Sequence, residues 1–111
     1  MVELTKSPGP NRTVVVQPKG RLNMSVAPAL RQELIDLILA GSTRLVVDLV
    51  DVDTIDSSAL GTLLAGLKAA RKAGGDLRIV SPSSQVAEVL RMTNLEQVLP
   101  TYASVDSAFE S

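Results

Sequence analysis

Apolar positions follow two periods in alternation along this chain. Val2 to Lys6 alternates weakly and breaks at Ser7-Pro8-Gly9-Pro10-Asn11, and a β-branched run then extends from Thr13 to Lys19, so the pattern predicts two strands joined by a loop. After Gly20-Arg21-Leu22-Asn23 the period changes. Ala27, Leu30, Leu34 and Ile38 fall on one face of a helix, with Ser25 as the expected N-cap, Pro28 in the first turn where its missing N–H costs nothing, and Gly41 as the stop. Arg44 to Val50 is too continuously apolar for a half-wet strand and predicts a central strand covered by helices. A loop carrying Asp51, Asp53 and Asp56 separates it from a second helix over Ser57 to Ala73. There Leu60, Leu63, Leu64 and Leu67 repeat at helical spacing, Lys68, Arg71 and Lys72 face water, and Gly74-Gly75 ends the run. Asp76 to Val80 predicts another strand, Ser81-Pro82 the N-cap and N1 of a helix through Val86, Leu90 and Met92, Val98 to Tyr102 a last strand, and Ser104 to Phe109 a closing helix. Strands and helices in this order predict one α/β domain over residues 1–111, a mixed sheet of about four or five strands with right-handed βαβ crossovers and about four helices. There is no internal repeat and no low-complexity segment.

Composition narrows the chemistry. A chain of 111 residues is expected to bury roughly two-thirds of its unfolded surface, enough for one core. The balance of 11 Lys+Arg against 12 Asp+Glu, net −1, gives no polyanion-binding surface, so nucleic acid is not an expected partner. With neither Cys nor His, disulfides, thiol nucleophiles, the usual zinc sites and the commonest general base are all excluded. Only one Tyr and one Phe are present, too few for base-stacking platforms or an aromatic ligand pocket. The most apolar stretch, Ala59 to Leu67, contains Thr62 and two glycines and is far shorter than a membrane span. The first residues carry Glu3 and no apolar leader, so a cytoplasmic protein without membrane insertion is expected. No cofactor and no metal are expected, and a protein that acts by contact is what remains.

The segment that carries information on function is Val47-Asp48-Leu49-Val50-Asp51-Val52-Asp53-Thr54-Ile55-Asp56-Ser57-Ser58-Ala59-Leu60-Gly61. On local physics Asp56 or Ser57 need be no more than a helix N-cap. Equally, a Ser at a helix start is within reach of another protein's active site, Gly61 one turn later permits close backbone approach, and free N–H groups with the positive dipole end accommodate a phosphate. Asp51, Asp53 and Asp56 lack the acidic strand end and the lysine of a receiver-type magnesium site. As an enzyme, the chain offers Ser57 no base other than carboxylates and lysines, and no Gly-x-Ser-x-Gly elbow.

This segment resembles the STAS family of anti-sigma factor antagonists, in which a core strand and an acidic loop lead into Asp-Ser-Ser-Gly/Ala-Leu-Gly at a helix start. Gly20-Arg21-Leu22-Asn23 is similar to the family's Gly-x-Leu-Asp turn, and Leu77-Arg78-Ile79-Val80-Ser81-Pro82 to its later strand-to-helix junction, so the resemblance covers almost the whole chain. It implies a non-enzymatic protein that binds an anti-sigma factor with serine kinase activity, thereby releases a sigma factor, and is switched off by phosphorylation of the first Ser of the motif, here Ser57. A phosphoserine phosphatase is an implied second partner. The implied contact residues are Asn23, Asp56, Ser57, Ser58, Ala59, Leu60 and Gly61. Asn23 stands where the family has Asp; it either weakens the negative field beside the phosphoacceptor or simply serves the turn, where Asn and Asp are both favoured. The alternative expectation is a stand-alone STAS subunit of a membrane transport or lipid-trafficking complex.

Overall fold

The computed structural model describes residues 4–10, 12–99 and 101–109. The elements in chain order are β1 (Leu4–Pro8), β2 (Val14–Pro18), β3 (Gly20–Leu22), α1 (Ala27–Leu39), β4 (Arg44–Asp48), β5 (Val52–Ile55), α2 (Ser57–Lys72), β6 (Asp76–Val80), α3 (Ser84–Met92), a 3-10 turn (Leu95–Gln97), β7 (Thr101–Tyr102) and α4 (Val105–Ala108). Five strands form a mixed sheet in the order β1-β2-β4-β6-β7. Only the β1–β2 pair is antiparallel; β2–β4, β4–β6 and β6–β7 are parallel, each joined by a segment containing a helix. The expected α/β architecture is therefore present, with four α-helices among the described residues.

Strand alternation sorts the core into two layers. Leu45 and Val47 of β4, Val16 of β2 and Leu77 and Ile79 of β6 face α1, α2 and α3 and join Leu30, Leu34, Leu63, Leu67, Val86 and Leu90 in the main cluster. Val15, Val46 and Val80 point the other way, where Ala108 and Phe109 cover them. Burial on both faces explains why β4 reads as a continuous apolar run. Gly66 lets α2 approach closely, since a Cβ there would lie 2.8 Å from Leu34 Cδ1 and 3.0 Å from Leu77 Cδ1.

Several boundaries differ from expectation, each for a legible reason. Val2 and Glu3 lie outside the described residues, and β1 continues through Ser7 and Pro8, where a break was expected. As an edge strand, β1 tolerates a proline without an N–H to donate. The N-cap of α1 is not Ser25. Asn23 holds this turn instead, its Oδ1 accepting from Ser25 N at 3.0 Å and its carbonyl from Val26 N and Ala27 N. The N-cap of α3 is Ser83, whose Oγ accepts from Val86 N at 3.2 Å, and not Ser81. Ser81 sits at φ 53° and is used up closing the sheet, donating its N–H to Tyr102 O and its hydroxyl to Ala103 O. The expected strand over Val98 to Tyr102 shrinks to Thr101–Tyr102. Its first part follows the 3-10 turn, and Leu99 is drawn into the core with its N–H on Leu95 O; Pro100 lies outside the described residues.

Candidate functional site

The stretch expected to be an acidic loop contains a strand. Val52 and Ile55 are buried with Asp53 and Thr54 exposed between them, and β5 pairs in parallel with β3, setting Gly20 opposite Val52, Arg21 opposite Thr54 and Leu22 opposite Ile55, with a bulge after Gly20. This small ladder brings the Asn23 turn against the start of α2, because the residues that follow β3 and β5 are Asn23 and Asp56. The β-branched Val52, Thr54 and Ile55 around one aspartate were the available sequence signal for it.

Asp56 locks the junction. Its Oδ1 accepts from Ala59 N at 3.0 Å and caps α2, its Oδ2 accepts from Met24 N at 3.0 Å, and its own N–H donates to Leu22 O. Both carboxylate oxygens are thus engaged by backbone amides, and the N-cap reading of Asp56 holds. Asn23 is half-buried with its Oδ1 in the turn, so the turn alone accounts for a short side chain with an acceptor there.

Ser57 and Ser58 occupy the first two positions of the sixteen-residue α2 and both are exposed. Neither hydroxyl has a partner among the described residues, and the backbone N–H groups at these two positions have no intrahelical acceptor. Ser58 borders a shallow hollow with Met24, Pro28, Arg31 and Thr62, and Met24 is 69% exposed. Met24 was not among the expected contact residues; its place beside Asn23 in the turn was the only hint.

Two expected contact residues are corrected. Ala59 and Leu60 are 1% and 5% exposed and belong to the main core, since the helix turns these positions toward the sheet, so their side chains do not contribute to a surface. Gly61 is exposed, and a Cβ built there meets nothing within 4 Å. The fold therefore does not require glycine at this position.

The loop aspartates do not converge. Asp51 Oδ2 accepts from Gln17 Nε2 at 3.0 Å and Asp53 is exposed on β5, and among the described residues no group of three acidic side chains is placed to hold a metal ion. No helix among the described residues is long and apolar enough to cross a membrane.

Comparison with known proteins gives a consistent set of relatives. A family model described as the STAS domain matches residues 2–108. A Thermotoga maritima protein named "Putative anti-sigma factor antagonist" is 33% identical over 98 residues, covering 87% of this chain and 87% of that protein. The anti-sigma-B factor antagonist of Bacillus subtilis is 28% identical over 91 residues, covering 82% of this chain and 83% of that one. The crystal structure of a Thermotoga maritima protein of the same name as the first superposes with a TM-score of 0.85 at 28% identity, over 93% of this chain and 88% of that one.

Proposed function

The chain belongs to the STAS domain family, with relatives named anti-sigma factor antagonists, and from that premise we propose that it binds an anti-sigma factor and so frees a sigma factor. The anti-sigma factor is a serine kinase that phosphorylates Ser57, and a phosphoserine phosphatase restores the binding form. The protein acts by contact and not by turnover, in the bacterial cytoplasm. The observation that carries this reading is the placement of an unbonded, exposed Ser57 hydroxyl at the start of a long helix whose cap is tied to the Asn23 turn.

The physics of the switch follows from that placement. A phosphate on Ser57 adds a charge of about −1.5 to −2 beside free backbone amides and the positive end of the helix dipole, so the helix tolerates it. The surface does not. Asn23, Met24, Ser58 and Gly61 near the start of α2 are uncharged, the Asp56 carboxylate adds negative charge beside the phosphate, and among the residues lining the hollow at Ser58 only Arg31 is cationic. A dianion in the centre of a contact of this kind must be stripped of water when the partner closes over it, and it repels any acidic group opposite.

Titration of the kinase partner against wild type, Ser57→Ala, Ser57→Asp and kinase-treated protein tests this. Ser57→Ala keeps fold and partner but takes no phosphate, whereas Ser57→Asp keeps the fold and loses at least about 30-fold in affinity, as expected for an uncompensated interface charge of 2 kcal/mol or more. Equal affinity of unmodified and phosphorylated forms would overturn the switch and favour a structural subunit of a transport or lipid-trafficking complex.

A further inference from the structure

Far from Ser57, at the end of the sheet where the inner strands β4 and β6 begin, a hollow is lined by Thr43, Arg44, Gly74, Gly75, Asp76, Arg78 and Phe109. It holds a surplus of positive charge. The Asp76 carboxylate accepts from Arg71 Nε at 3.0 Å through Oδ1 and from Arg78 Nε at 3.1 Å through Oδ2, and Oδ1 also takes Leu77 N at 2.9 Å. Arg78 is further fixed by donating Nη1 to Ala108 O at 2.7 Å and by stacking 4.2 Å from the Phe109 centroid. Asp76 is thus fully used by neighbours other than Arg44.

Among the described residues Arg44 has no such partner. Its guanidinium lies 4.7 Å from the same Phe109 centroid, yet no acceptor among the described residues meets any of its N–H groups, and its Nε is buried without one. A buried donor left unsatisfied costs free energy, and two guanidinium groups on one ring repel each other. Gly74 and Gly75 also line the hollow, and Gly75 packs so closely on Thr43 that a Cβ there would lie 1.9 Å from Thr43 O.

We propose that this hollow binds a small oxyanion, of the phosphate or carboxylate type, with Arg44 as its principal ligand and Thr43 as a supporting hydroxyl. Such an anion accepts from the terminal amino groups of Arg44, which are not buried as its Nε is, and offsets the charge that Asp76 leaves unbalanced. The site is independent of the Ser57 corner, which lies beyond the other end of β4.

The test is amide chemical-shift titration of ¹⁵N-labelled full-length protein with sodium phosphate and, separately, sodium acetate, chloride being adjusted to hold ionic strength constant. Saturable shifts at Thr43, Arg44, Gly74 and Gly75 with either anion support the site, and the stronger of the two identifies the class. Arg44→Met, which keeps an apolar stem over Phe109, and Arg44→Gln each lower the affinity about tenfold, the scale of one lost charge-assisted pair, while Ser57→Ala leaves it unchanged. No saturable shift with either anion, shifts confined to Asp56 to Gly61, or equal affinity in wild type and a folded Arg44 variant would overturn the proposal.

Discussion

Single residues divide here into those the fold needs and those it does not. Gly66 has Leu34 and Leu77 against it, whereas Gly61 has open space. Glycine inside a helix costs about 0.5–1 kcal/mol relative to alanine, so Gly61→Ala is expected to raise stability by about that much in urea denaturation while lowering affinity for the anti-sigma partner. Greater stability with full binding would show that nothing approaches this turn of α2. Asp56 is the opposite case, because two amides from different segments depend on one carboxylate. Asp56→Ala is expected to cost about 1–2 kcal/mol, chiefly the lost N-cap, since the exposed Met24 amide can turn to water. Asp56→Asn keeps an acceptor for the cap but not for both amides, and should fall between wild type and Asp56→Ala in the same measurement.

The identity of most elements was readable from the sequence, because each had one dominant period. The leucines of α2, the β-branched runs of β2 and β4 and the glycine stops after α1 and α2 all carried their own signal. Legibility failed where tertiary pairing decided the outcome. The β3–β5 ladder joins two short segments, Gly20–Leu22 without a strand signal and Val52–Ile55 with its β-branched signal interrupted by an aspartate, and their mutual pairing makes them strands. The helix starts failed for a related reason, since Ser25 and Ser81 look like caps but Asn23 and Ser83 make the hydrogen bonds. Leu64 shows the limit of periodicity. Four leucines of α2 share one apolar repeat in the sequence, yet Leu63 is fully buried and Leu64 only half-buried at the edge of the cluster. Leu63→Ala is accordingly expected to cost about 2–5 kcal/mol and Leu64→Ala less. Reversible urea unfolding of the pair checks the orientation of α2, and an equal or reversed ranking would mean that the helix is rotated. The α2–β6 turn gives a steeper test, because a Cβ on Gly75 would sit 1.9 Å from Thr43 O. Gly75→Ala must move the backbone and should cost more than a typical surface change, about 2 kcal/mol or above in the same assay.

At the scale of the whole molecule, the proposed binding corner and the rear of the sheet are built from different residues. The corner was legible in Asp56-Ser57-Ser58, whose chemistry is local to a helix start. The rear layer was not, since the aromatic side chains that sequence composition marked only as scarce turn out to be spent on one task. Phe109 closes the layer over Val15, Val46 and Val80, and both Tyr102 and Phe109 stack on Arg78. Phe109→Ala should therefore expose this layer and cost about 3–5 kcal/mol, the usual range for deleting a buried aromatic ring. Phe109→Leu should cost less, because it refills much of the volume and loses mainly the stacking on the two guanidinium groups, a contribution of about 0.5–2 kcal/mol. Neither change touches β3, β5 or the start of α2. Below the denaturation midpoint both variants should thus bind the anti-sigma partner as wild type does, and calorimetric titration beside urea denaturation separates the two effects. A Phe109→Leu protein that stayed folded yet lost its partner would show that the rear layer takes part in binding, and the division of the molecule into a stabilising face and a contact corner would have to be abandoned.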